Sequence, residues 1–139
     1  MKDIPNFDTL FQYVRDLRLP SGDYAIFGSG PMIIRGWISG ANDLDIVCRG
    51  KAWEVACATG NVSYDERYDM SLASHCNGRI TFGTRWSIGS FDIDELIDGA
   101  EKIDGLPFVQ LGHVIAYKQI RASAKDLLHL EQYRRAIPD

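Results

Sequence analysis

The stretch Tyr24-Ala25-Ile26-Phe27-Gly28-Ser29-Gly30-Pro31-Met32-Ile33-Ile34-Arg35 decides how this chain is read. Its first four residues are apolar and β-prone, which predicts a short strand. Gly28 and Gly30 permit a tight turn, and Pro31 suits the first position of a helix, where a missing N–H loses no bond. Strand, glycine turn and a short helix over 32–35 follow. The start of such a helix presents unpaired N–H groups and the positive end of the helix dipole. With the Ser29 hydroxyl and the amides near Gly28 and Gly30, these groups form a small anion cradle suited to a phosphate. The same residues also read as a capped turn without a ligand, and no Gly-Lys-Ser/Thr follows to make a Walker loop.

Working outward, a loop over 38–42 leads into Asp43-Leu44-Asp45-Ile46-Val47-Cys48, a second predicted strand. Alternate residues of a strand share a face, so Asp43 and Asp45 stand side by side with Cα atoms about 6.6 Å apart. Leu44, Ile46 and Cys48 occupy the other face. Adjacent carboxylates disfavour each other's ionisation unless a cation or full solvation offsets the repulsion. Mg²⁺, or Mn²⁺ in its place, accepts one or two carboxylates together with substrate phosphates, which is what such a pair can supply. Two water-facing strand residues are the alternative.

Farther out, the apolar positions Phe7, Leu10, Phe11, Val14 and Leu17 recur at helical spacing after Asn6, a plausible cap, and 20–23 is a turn. Helices are expected at 51–58, 94–100, 111–119 and 124–135, a strand at 79–86, and an extended piece at 106–109. The polar segment 61–77 resists assignment. The expected fold is α+β: a small mixed sheet with helices, in one domain over 1–139, with a core over 1–100 and a helical segment over 101–139. A chain of 139 residues with 45% hydrophobic and 24% charged residues has the composition of one globular domain. Folding then buries roughly 68% of the unfolded chain's surface, enough for a core without metal or disulfide staples.

The formal net charge of −4 argues against broad electrostatic docking on nucleic acid or anionic lipid. No apolar run approaches the ~20 residues of a membrane span, and the N-terminal residues lack the apolar region of a signal peptide. The expectation is a cytoplasmic protein with no membrane association. Cys48, Cys57 and Cys76 are odd in number and lack Cys-x-x-Cys spacing, which suits reduced structural thiols. His75, His113 and His129 form no metal spacing and read as surface or helix-packing residues. Trp37, Trp53 and Trp86 read as core or core-edge residues, with base stacking by Trp37 as the alternative.

Taken together, Gly28-Ser29 opening a helix and Asp43-x-Asp45 heading the next strand resemble the polymerase-β-like nucleotidyltransferase superfamily in a minimal single-domain form. Leu106-Pro107-Phe108-Val109, the helix through Lys118, and Lys125-Asp126 are similar to the C-terminal helices of small bacterial members. The resemblance implies transfer of a nucleoside monophosphate from a nucleoside triphosphate to an acceptor hydroxyl, the acceptor being a small molecule, RNA or protein. It further implies that Gly28, Ser29 and Gly30 hold the triphosphate and that Asp43 and Asp45 are catalytic and bind Mg²⁺. Lys118 and Lys125 are then phosphate contacts, with a solvated basic face as the alternative.

A third carboxylate belongs on a neighbouring strand in this family. The strand over 79–86 carries Thr81 at its centre and no acid, which leaves Asp92 or Asp94 as the candidates, with Asp92 taken as the third catalytic residue. Both also read as the acidic cap of the helix that follows. His129 stands where family members carry a further acid. These departures keep a second function in view: a catalytically degenerate nucleotide-binding or partner-binding protein, such as a toxin–antitoxin component. The absence of a larger acceptor-binding region points to a homodimer or a partner chain.

Overall fold

The structure, a computed structural model, describes residues 7–38 and 43–137. The first helix, α1 (Phe7–Leu17), has the expected bounds and buries Leu10, Phe11 and Val14 along one stripe. Asn6 lies outside the described residues. Next come β1 (Tyr24–Phe27), α2 (Gly30–Ile33) and β2 (Leu44–Cys48). Helix α2 begins two residues earlier than the expected 32–35. The Ser29 carbonyl already accepts from the Met32 and Ile33 amides, and Gly36, at φ +74°, turns the chain away.

Then follow α3 (Gly50–Thr59), β3 (Asn61–Asp65), β4 (Met70–His75) and β5 (Ile80–Gly83). The unassigned polar segment is thus a hairpin, in register from Asn61 opposite Ser74 to Asp65 opposite Met70. The chain continues with α4 (Ile93–Asp98), β6 (Glu101–Ile103), β7 (Leu106–Phe108), α5 (Leu111–Arg121) and α6 (Ala124–Ala136). Strand β6 was not anticipated. Asp104 and Gly105, both at positive φ, form the two-residue turn that places Ile103 opposite Leu106. The stretch 101–139, expected to be helical, therefore begins with a hairpin that belongs to the sheet.

The fold is α+β. Its mixed sheet runs β3-β4-β5-β2-β1-β7-β6, with β2 antiparallel to β1 and parallel to β5. One face, carrying Leu44, Ile46 and Cys48, packs with residues of α1 and α3. The other, carrying Ala25, Phe27 and Val47, packs with residues of α4 and α5. Asp45 lies between Leu44 and Ile46, so alternation sends it to the second face. Cys48, Cys57 and Cys76 are free thiols, and Trp53 and Trp86 pack at the edges of the two clusters. No helix among the described residues is long and apolar enough to cross a membrane.

Candidate functional site

The turn after β1 lies directly on Asp45. Gly28 adopts φ +57°, and a Cβ at this position would sit 2.9 Å from Asp45 Oδ2, so the close approach and the backbone conformation both call for glycine. Asp45 stands opposite Phe27 on β1 and beside Thr81 on β5. Asp43 is exposed just before β2 begins. Burial, followed by the charge of Asp43, pushes the half-buried Asp45 carboxyl up to about 6. Arg121, Lys118 and Lys125 pull the other way.

Ser29 precedes α2, yet its side chain makes no cap to that helix. It instead meets the C-terminal helices. Lys118 Nζ donates to Ser29 Oγ at 2.9 Å and reaches His129 Nδ1 at 3.1 Å and Asp126 Oδ1 at 3.5 Å. Ser29 Oγ also lies 3.4 Å from His129 Nδ1. Burial draws the Lys118 ammonium down to about 8, while Asp126 supports its charge. Lys118 was expected to touch phosphate. It has no exposed surface and grips Ser29 from behind, so its action on an anion in front of the loop runs through the serine hydroxyl.

The corner between α5 and α6 assembles this network. Ala122 takes a left-handed conformation at φ 50°, and Ser123 and Asp126 then form a reciprocal capping box. Arg121 grips Asp126 with two hydrogen bonds of 2.7 and 2.8 Å. Burial of Asp126 opposes its ionisation. The bonds from Arg121 and Ser123 outweigh burial and hold the carboxyl well below the usual range. Both Lys118 Nζ and the Arg121 guanidinium lie over the Tyr117 ring, at 5.2 and 5.4 Å from its centroid. Burial and then the Asp45 charge raise the Tyr117 hydroxyl, against a hydrogen bond with Ser29. Lys125 is exposed and acts on Asp45 only through its field.

Asp92 does not join this group. Its carboxylate accepts from the Asp94 amide at 2.9 Å and caps α4. Asp94 and Asp98 bind Arg49 at 2.7 and 2.6 Å, just past Cys48 and thus at the end of β2 away from Asp43. The position beside Asp45 belongs to Thr81. A cleft of about 190 Å³ opens there, extending from Asp45, Thr81 and Arg121 toward Leu72, Met70 and Tyr68. Asp92 is absent from its lining.

Among the described residues no three His, Cys, Asp or Glu side chains converge as a metal site. Asp45 on β2 and the exposed Asp43 just before it offer carboxylate oxygens. Burial is the larger cause of the raised Asp45 carboxyl and the Asp43 charge adds to it; a divalent cation would offset both, and Mg²⁺ usually completes its shell with water and phosphate. The donor set therefore fits Mg²⁺ or Mn²⁺ carried in with a phosphorylated ligand.

Sequence reasoning passed over Tyr117, and it placed Asp126 and His129 only within the C-terminal resemblance, without their contacts to Lys118. Ser123-Ala124-Lys125-Asp126 was legible as a capping box, but its use of Asp126 against a buried lysine was not. No protein-family model matches the chain, and no curated protein or solved structure matches it.

Proposed function

We propose that the protein is a polymerase-β-like, metal-dependent nucleotidyltransferase that moves a nucleoside monophosphate from a nucleoside triphosphate to an acceptor hydroxyl. The observation that carries this reading is the seating of the Gly28-Ser29 turn on the Asp45 carboxylate, ringed by Lys118, Arg121 and Lys125. An isolated anion cradle would have no use for a carboxylate pair, and an isolated carboxylate pair would have no use for an anion cradle. A metal–triphosphate complex uses both.

Asp43 and Asp45 hold the cation side of such a complex. Ser29, its oxygen engaged by Lys118, presents its hydroxyl to phosphate oxygen, and Arg121, which donates to Asp126 through Nε and one terminal nitrogen, also lines the cleft. Bound Mg²⁺ would neutralise phosphate charge and orient the triphosphate. Phosphoryl-type transfer asks the protein for positioning and charge stabilisation more than for covalent participation.

A second reading follows from Thr81. A hydroxyl stands in register with Asp45 where a third carboxylate would complete the metal site, which favours a nucleotide-binding protein without turnover. Incubation with Mg²⁺ or Mn²⁺ and each labelled triphosphate separates the two. Label transferred to RNA, protein or a small acceptor supports the enzyme, whereas tight binding with no transfer supports the binder. Lack of affinity for every triphosphate and both metals would refute both. Sizing in solution tests whether a second copy or partner chain supplies the acceptor surface.

A further inference from the structure

We propose that the part of the cleft beyond Asp45 is a nucleobase subsite, with Leu72 and Met70 as its floor and Tyr68 and Trp86 as its aromatic walls. The proposal rests on the triphosphate reading and extends it from the phosphates to the nucleoside.

Strand register gives the layout. Asp45 lies beside Thr81, Val47 beside Gly83, and Gly83 beside Leu72. With strands about 4.8 Å apart and a rise of about 3.3 Å per residue, the Leu72 Cα lies about 12 Å from that of Asp45. A cation, 5′ phosphate, ribose and base laid end to end span a comparable length. The intervening surface is kept low: a Cβ on Gly83 would meet Met70 Cε at 3.0 Å and Leu72 Cδ2 at 3.2 Å, so these two side chains lie flat across the glycine.

The walls are held in place before any ligand arrives. Trp86 packs at a tilt against Phe27 and edge-to-face against Tyr117, with centroids 4.5 and 5.0 Å away. Arg85 donates to the Tyr68 carbonyl and, at 2.8 Å, to the Asp69 carbonyl, fixing the β3–β4 turn beside the exit of β5. The Arg67 guanidinium lies 5.3 Å from the Tyr68 ring centroid, yet the residue stays 42% exposed. An exposed aromatic ring flanked by Arg67, its backbone held by Arg85, at the rim of an apolar floor suits a flat, weakly polar ligand. Water gains little from such a surface, while a base gains stacking on it.

The test compares Mg²⁺–tripolyphosphate with the Mg²⁺ complexes of ATP, GTP, CTP and UTP by titration calorimetry. At least one nucleotide is expected to bind roughly 5- to 150-fold more tightly than tripolyphosphate, the range that stacking of one base supplies. Tyr68→Ala, on an exposed turn, should remove much of that advantage without altering tripolyphosphate binding, and Tyr68→Phe should retain it. Leu72→Ser provides a second probe from the floor. Tripolyphosphate binding with no nucleotide advantage, or equal losses for both ligands in these variants, overturns the base subsite while leaving the triphosphate reading intact. If neither ligand binds the wild-type protein, both fall.

Discussion

Replacing Asp45 with asparagine removes a charge from a place that disfavours it. The carboxyl moves from an ordinary 3.8 to about 6 in the fold, which above that pH makes ionisation roughly 3 kcal/mol costlier in the folded than in the unfolded chain. Because the folded value is the higher one, the folded state retains the proton over a range where the unfolded chain has lost it. The stability contributed by protonated Asp45 is fully present below about pH 4 and is lost as pH rises through about 6. Asp45→Asn keeps the shape without the charge. In chelator at pH 7.5 it should melt higher than wild type by up to about 10 °C, and near pH 4 the gap should close. Mg²⁺–triphosphate at about 1,000 times its Kd should reverse the order, since it adds roughly 4.1 kcal/mol to wild type, more than the gap of roughly 3 kcal/mol, and little to the variant. Melting curves at pH 4, 6 and 7.5, with and without ligand, decide the matter. A metal-free variant less stable than wild type at pH 7.5, or a gap independent of pH, would refute the reasoning.

Other perturbations test the remaining parts. Gly28→Ala places a methyl group against Asp45 Oδ2 in a left-handed conformation; it should cost about 2 kcal/mol in urea unfolding and abolish triphosphate binding by calorimetry. Asp126→Ala strands the buried Lys118 charge and breaks the capping box, so a loss of about 3–5 kcal/mol is expected in the same unfolding assay. Triphosphate affinity should fall as pH rises through about 8, where Lys118 gives up its proton, and Lys118→Met should flatten that limb of the calorimetric pH profile. Asp92→Ala should lower stability by about 1 kcal/mol through the lost cap of α4 and leave nucleotide affinity unchanged.

Elements with a buried face were readable in the residues. Helix α1 shows its stripe at Leu10, Phe11 and Val14, and β1 and β2 show apolar runs because both faces of the central sheet are covered. The β3–β4 hairpin was illegible for the opposite reason. Strand β3 is an edge, with Val62 and Tyr64 exposed between polar neighbours, so no buried face imposes a pattern. Asn77-Gly78 and Asp104-Gly105 were usable turn signals that period-based reading passed over. In the site, the expected residues Gly28, Ser29, Asp43, Asp45 and Lys118 lie close together. The burial of Lys118 could not be read, because a lysine is placed in water unless its partners are known, and Asp126 and His129 adopt that role only once the α5–α6 corner brings them near. Asp92 was ambiguous between cap and ligand because both roles call for an aspartate at that point.

Ser29 and His129 are a hundred residues apart and belong to one cluster. The loop that would greet a phosphate is therefore unfinished until the last helix docks, and that closure spans most of the chain. Contacts of such long sequence separation form late and slowly in folding. A chain still being synthesised, with its sheet assembled and α6 not yet released, has Asp45 and the glycine turn but no buried ammonium behind the serine. Docking of α6 thus completes the cluster behind Ser29, and clipping of α6 by a protease would dismantle that cluster from a distance while leaving Asp43 and Asp45 in place.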